Sequence, residues 1–588
     1  MNLTTFSPQT HKHIIYQLVL RWFSNTKTKN KPFGTVKENG CGKFNDINER
    51  VLTSLKDFGV THIWFTGVLE HSTMTAYPEI NQPADDPRIV KGRAGSPYAV
   101  RDYYDVDPDL AVDIPNRMAE FEAMIDRTKA AGLKSIIDFI PNHVARSYQS
   151  DMNPGNIPDF GTSDDKTVLF HPDNNFLYLS GESFVSPSDY QPLGGLKIPA
   201  TQFTFHEFPA KVTGNDVYSA FPSSNDWFET IKLNFGVDPH PPHTCFFDPV
   251  PRTWQKLLDI LLYWAKKGVD GFRCDMAEMV PAEFWEWVIP CVKTHFPDVL
   301  FIAEIYKPEL YERYLEKGYF DYLYDKVRLY DTLGGILRGH TAADELTHCA
   351  RSVEKFPEKM LSFMENHDEE RLASSFFAGD GFAGIPAMYV SALLSKGPVM
   401  VYAGQETGED AAENVGFAGL RGRTSIFDYC SLPSLQKWYN KGKCNGALLS
   451  DEQQLLRAQY AELLNFAATH DAIINGGFYD LQYINRHHQS EGYDERYVYS
   501  FIRHTAGEKL LILVNFNRTG AYDLHLRIPA EALRHIGLSG KKEIHYKGLL
   551  NTNMEGSITP SKLYMEHDRF SGIPLRLEPN SAYVISMY

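Results

Sequence analysis

Apolar runs of strand length alternate with helix-period stretches over most of this chain. His13–Leu20 reads as a strand, Ile47–Phe58 as an amphipathic helix, and Val60–Phe65, after Gly59, as a second strand. Pro115–Ala131 reads as a helix with Pro at its start, apolar Met118, Phe121, Met124 and Ile125, and Gly132 at its end; Leu133–Ile140 is the third strand. Alternation then stops from Val144 to about Val250, a stretch rich in Pro, Asn, Asp, Phe and Gly. So long an irregular segment implies a small domain of its own. It resumes with helix Trp254–Lys267, strand Val269–Cys274, helix Ala282–His295 and strand Val299–Ala303. Weaker strands follow near Tyr319–Tyr324 and Met360–Met364, then helix Ala387–Ser395 and strand Val399–Tyr402. Strands alternating with helices argue for a parallel sheet, and about eight such pairs for a (β/α)8 TIM barrel with active residues at the carboxyl ends of its strands. After helix Asp451–His470 the texture becomes antiparallel β, with strands Tyr497–Arg503, Lys509–Asn515, Tyr522–Ile528 and Ala582–Met587. The expected division is barrel 1–143 and 251–470, an inserted domain 144–250, and a C-terminal β-sandwich domain 471–588.

Composition narrows the function. A formal net charge of −16 argues against nucleic acid and anionic membranes as partners, since both call for Lys/Arg patches. The most apolar window, Gly384–Gly404, is broken by Pro386, Lys396, Gly397 and Pro398, so it reads as a buried helix and strand rather than a span. Seven scattered cysteines show neither metal-ligand spacing nor a disulfide framework. The first twenty residues lack a basic region followed by an unbroken apolar core. A cytoplasmic protein with reduced thiols is expected.

Candidate chemistry gathers at strand ends. In Val269–Met279, Arg273 and Asp275 lie two apart and project the same way, with Cys274 turned into packing. An adjacent arginine lowers a carboxylate's pKa and keeps it ionised, as a nucleophile requires. Alone, this reads better as a salt bridge ending a core strand. Three further strand ends change the balance: Asp138-Phe-Ile-Pro-Asn142-His143, Phe301-Ile-Ala-Glu304 and Phe363-Met-Glu-Asn366-His367-Asp368.

In order and spacing these four segments closely resemble the conserved regions of glycoside hydrolase family thirteen, the α-amylase family. Tyr98 followed by Asp102 matches that family's loop before the second helix, and Lys232-Leu233-Asn234 is similar to a motif of its neopullulanase-type members. Gly404-Gln405-Glu406 stands in the loop after the eighth strand. The resemblance implies a retaining hydrolase of α-1,4-glucans such as starch, glycogen or maltooligosaccharides. Asp275 would be the nucleophile, Glu304 the acid and base, and Asp368 the third carboxylate gripping sugar hydroxyls. Tyr98, His143, Arg273 and His367 would hold the same sugar, with Asp138 and Asn142 bracing loops. Gly95 replaces the aspartate that exo-acting relatives carry three residues before the tyrosine, which implies endo action. Glu278 and Met279 replace a Lys-His pair that helps to form a calcium site. Asn142 remains as one potential calcium ligand, and no organic cofactor is implied. The alternative is an α-glucanotransferase or maltosyltransferase using the same carboxylates. A non-catalytic amylase-like scaffold is disfavoured, because all three acids are retained.

Overall fold

The computed structural model describes residues 11–155, 157–565 and 567–588. Eight parallel strands close a barrel: Ile14–Val19, His62–Thr66, Lys134–Phe139, Gly271–Cys274, Leu300–Ala303, Tyr322–Tyr324, Met360–Phe363 and Val399–Tyr402, called here barrel strands one to eight. They are buried almost without a break, as strands covered on both faces must be. Helices Glu49–Asp57, Arg117–Ala130, Arg252–Lys266, Ala282–His295 and Ile385–Leu393 return the chain between strands. Strand ends stand within two or three residues of those read from the sequence; the short sixth strand, expected near Tyr319–Tyr324, begins at Tyr322.

The register between strands three, four and five fixes the later chemistry. Arg273 lies opposite Asp138 on one side and Ile302 on the other. Past the ends of strands four and five, Asp275 N–H bonds to Phe139 O (2.9 Å), Glu304 N–H to Cys274 O (3.2 Å) and Ala277 N–H to Glu304 O (3.1 Å). The backbone ladder therefore continues under both carboxylates.

One expectation fails beside the site. Val100–Val106, read as part of a loop, is a seven-residue strand paired with Leu69–His71. Arg101, Asp102 and Asp105 break any apolar run here, yet all seven residues are buried. Arg101 pairs with Glu70 at 3.1 Å, Asp105 with Arg117, and Asp102 accepts the backbone N–H of Tyr104, Asp151 and Met152. Buried charges persist where they are paired, and here the pairing conceals the strand.

The segment between strand three and helix Arg252–Lys266 holds short antiparallel pairs: His143–Ala145 with Thr230–Lys232, and Tyr178–Leu179 with Ala210–Lys211. The first pair joins this segment to the rim of the barrel. The C-terminal region builds a six-stranded antiparallel sheet and a two-stranded partner around a separate apolar core that includes Val498, Ile502, Leu511 and Ile585. Its strands Gly477–Asp480, Ile544–Leu550, Glu555–Ile558 and Ile573–Leu577 were not anticipated; the last alternates buried and exposed residues but is interrupted by Pro574.

Arg503 ties this sheet to the barrel. Its guanidinium, 1% exposed, donates to Leu394 O (2.7 Å), Gly476 O (2.9 Å), Ile473 O (3.1 Å) and Ala472 O (3.2 Å). Burial lowers its pKa to about 10, so it remains charged at neutral pH. Arg503→Met strands four carbonyls and is expected to cost at least about 2 kcal/mol in urea unfolding. A loss below about 0.5 kcal/mol, the range of an ordinary surface change, would contradict this role.

Candidate active site

Arg273 is the centre of the site. It projects from barrel strand four, is fully buried, and its Nη1 donates to Asp275 Oδ1 at 2.7 Å. Nη1 also reaches Asp138 Oδ1 at 3.5 Å, and Nη2 lies 2.8 Å from Glu304 Oε2. The Glu304 contact is close but poorly aligned, so it acts as an ion pair rather than a directed hydrogen bond. Nε donates to Tyr324 Oη at 3.2 Å. The rings of Trp64, Tyr98 and Tyr324 surround the guanidinium, with centroids 5.2, 5.5 and 5.6 Å from Cζ. Planar, delocalised and weakly hydrated, arginine suits such an aromatic cage better than lysine would.

One cation here faces three buried carboxylates. Burial raises the pKa of Glu304; Arg273 opposes this, while Asp275 and Asp368 raise it further. Asp275 is also raised by burial, with Arg273 opposing more directly through its aligned hydrogen bond. Two acids this close titrate as a pair and hold one proton between them over a span of pH. The geometry assigns that proton to Glu304, because Asp275 keeps the better bond to Arg273. Glu304 is itself oriented at both oxygens: Met276 N–H donates to Oε2 at 2.7 Å and Tyr306 Oη–H to Oε1 at 2.5 Å. Met276 directs its N–H from a left-handed backbone (φ 44°, ψ 44°), a strained conformation for a non-glycine residue, immediately after Asp275.

Asp368 follows strand seven in a turn whose Asn366 Oδ1 accepts the Asp368 and Glu369 N–H groups. His367 Nε2 lies 3.0 Å from Asp368 Oδ2, and Gln17 Nε2 lies 2.8 Å from His367 Nδ1. Burial would raise the Asp368 pKa, but His367 and Arg273 outweigh it and hold it at about 2. The Asp368 side chain is 45% exposed, which weakens these effects but leaves its ionised state unchanged. Tyr98 stacks on His367, with centroids 5.0 Å apart at 18°, and its Oη donates to Asp138 Oδ1 at 3.3 Å. Burial lowers His143 to about 4, so its ring is neutral near pH 7.

These residues surround one pocket of about 250 Å³, lined by Tyr98, His143, Asp275, Glu304, His367 and Asp368. Arg273 lies beneath it, and Asp138 is a brace under Tyr98, Trp64 and Arg273. Sequence reasoning missed Trp64, Tyr306 and Tyr324, each contributed by a strand or loop without a motif of its own. It also missed Lys91, Trp227 and Glu229 in the pocket wall. The pocket shares His367, Asp368, Ile426 and Phe427 with a second cavity of about 440 Å³. Across the Thr230–Lys232 strand lies a third, of about 520 Å³, lined by Lys232, Glu278 and Met279. At Gly95 the backbone has φ +81°, and a Cβ would meet Ser72 O at 1.7 Å. Glycine is therefore required there by packing, whatever the mode of attack.

The surroundings of Asn142 do not fit calcium. Its Nδ2 donates to Gly214 O at 2.8 Å, and its Oδ1 is buried without a partner. On the adjoining strand the buried Lys232 ammonium lies 3.0 Å from Asp216 Oδ1 and 3.5 Å from Met279 O. Calcium takes about 6–8 oxygen ligands. One amide oxygen is not that set, and among the described residues no group of three or more His, Cys, Asp or Glu forms another.

The family model "Alpha amylase, catalytic domain" matches residues 20–164 and 249–440. An α-1,4-glucan:maltose-1-phosphate maltosyltransferase of Cereibacter sphaeroides is 41% identical over 71 residues, 12% of each chain. Neopullulanase 2 of Thermoactinomyces vulgaris is 22% identical over 413 residues, 67% of this chain and 56% of that one. The chain thus spans from about an eighth to just over half the length of these curated relatives. The solved α-amylase of Geobacillus thermoleovorans, complexed with acarbose, superposes with a TM-score of 0.60 at 17% identity, covering 98% of both chains. The maltogenic α-amylase of Thermotoga neapolitana gives 0.58 at 17% identity over 98% of both chains. These two show the fold. The catalytic-domain match covers more than half of the sequence and takes in all three strand-end carboxylates, and the chain belongs to the α-amylase family.

Proposed function

We propose that this protein is a retaining α-glucan hydrolase that cleaves α-1,4-glucosidic bonds in starch- or glycogen-type glucans or maltooligosaccharides. The observation that carries this is the single buried guanidinium of Arg273, which holds Asp275 and Glu304 on adjoining strands. Bound through two nitrogens of one group, the carboxylates stay close together. Such spacing suits a nucleophile and an acid rather than the wider gap that admits an extra water. Asp275 attacks the anomeric carbon while Glu304 gives its proton to the departing glycosidic oxygen, leaving a glycosyl ester on Asp275. Water, deprotonated by the Glu304 carboxylate, then attacks the same carbon and releases Asp275. Asp368, kept ionised by His367, accepts hydrogen bonds from sugar hydroxyls as the ring distorts. The second cavity beyond Asp368 gives a glucan room past one ring, which supports attack within chains.

A transferase reading differs only in the attacker, a sugar hydroxyl in place of water. It draws support from relatives named as maltosyltransferase and cyclomaltodextrin glucanotransferase. The large third cavity beside Glu278 and Met279 offers an acceptor somewhere to sit. No described helix is long and apolar enough to cross a membrane. All seven cysteines are free, which supports a reducing compartment such as the cytoplasm.

Incubation with maltoheptaose is expected to give only shorter products, with reducing ends rising in step. Asp275→Ala should lose about 10⁴-fold or more in kcat. Longer products at constant reducing ends would establish the transferase; an active Asp275→Ala variant would sink the mechanism. The pH profile offers a second check. The Tyr306 hydrogen bond stabilises ionised Glu304, so Tyr306→Phe must raise the Glu304 pKa and move the alkaline limb of kcat/KM to higher pH. Its optimum rate should stay within about tenfold of the parent, the worth of one hydrogen bond. A limb that moves down, or does not move, would show that Glu304 is not the group losing its proton there.

A further inference from the structure

Lys91 and Glu229 stand in the wall of the catalytic pocket and have no part in the chemistry assigned to the three carboxylates. Lys91 Nζ lies 2.9 Å from Glu229 Oε2, with side chains 11% and 6% exposed. Lys91 also donates to Asp226 O at 3.1 Å and sits 5.1 Å from the centre of the Phe228 ring. Glu229 Oε2, despite its burial, receives no aligned hydrogen bond. Both residues line the pocket together with His143.

A buried ion pair is weak evidence of stabilisation, because desolvation offsets the attraction. A carboxylate oxygen without a directed donor is costlier still. Both features make sense where a ligand completes the site. An ammonium and a carboxylate side by side offer one donor and one acceptor. That is the complement of a sugar hydroxyl, which accepts and donates, or of two neighbouring hydroxyls. Trp227 and Phe427 in the same wall supply apolar surface for the face of a ring.

We propose that the Lys91–Glu229 pair reads a hydroxyl of the sugar unit lodged against Asp275 and Glu304, and so sets which glycosyl unit the pocket accepts. This rests on the glucan reading above and adds a specificity determinant to it. A site built to bond a hydroxyl discriminates strongly against a substrate lacking it, because its polar groups are left unpaired.

The test compares kcat/KM for p-nitrophenyl α-maltoside with analogues lacking the 2-, 3- or 6-hydroxyl of the ring next to the nitrophenyl group. The enzymes are wild type, Glu229→Gln, Lys91→Met and the swapped Lys91→Glu/Glu229→Lys. Wild type should lose about 10- to 100-fold on the analogue whose hydroxyl the pair reads, the worth of a hydrogen bond to a charged group. In Glu229→Gln and Lys91→Met the parent substrate falls by a similar factor and that analogue falls no further, so discrimination at that one position collapses. The swapped variant restores the melting temperature without restoring discrimination. Equal losses on every substrate in the variants, or rates fully restored by the swap, would make the pair a structural tie and overturn the proposal. Failure of wild type to cleave the unmodified maltoside would instead defeat the glucan reading, and with it the pair's role.

Discussion

Everything at this site depends on one buried arginine. Without Arg273, Asp138, Asp275 and Glu304 would lie in the barrel mouth with no compensating charge, at a desolvation cost that burial alone cannot offset. With it, three strands already joined by backbone ladders also share a common cation. The aromatic cage keeps water from that cation, so its attractions act at low effective dielectric. The rest of the barrel can be seen as the frame that brings these four side chains into register.

The same constraint sets the protonation pattern. A single positive charge cannot keep three neighbouring carboxylates ionised, so one proton stays in the cluster. In the proposed mechanism the nucleophile is the acid with the aligned bond to Arg273, and the proton donor is the acid without it. Asp368, farther out and paired with His367, is freed from this competition and stays charged. Environment separates chemically similar acids into distinct roles, as catalytic carboxylates require.

Much of this was legible in the sequence because it lies on strands. Apolar runs located the barrel strands, and period-two spacing put Arg273 and Asp275 on one side. The resemblance to a known family then ranked Asp275, Glu304 and Asp368 above other acids. What stayed hidden has physical causes. Val100–Val106 is a strand whose charged residues are neutralised by partners distant in sequence, so no apolar run marks it. Trp64, Lys91 and Glu229 acquire meaning only when separate parts of the chain converge, and no local pattern marks such convergence; Tyr306 stands two residues past Glu304, but only the fold shows its hydroxyl turned back onto that carboxyl. Gly95 carried a functional reading, yet the structure shows that its backbone conformation and the Ser72 carbonyl already require glycine.

The central claim is that Asp275, bound to Arg273, becomes covalently linked to the sugar. The most direct measurement is mass spectrometry of the Glu304→Gln variant mixed with a 5-fluoro-α-glucosyl fluoride, whose activated leaving group needs no acid. The account predicts one glycosyl adduct on the peptide containing Asp275, slowly lost on adding a sugar acceptor. An adduct on Asp368, or turnover with no covalent species at any time, would contradict it.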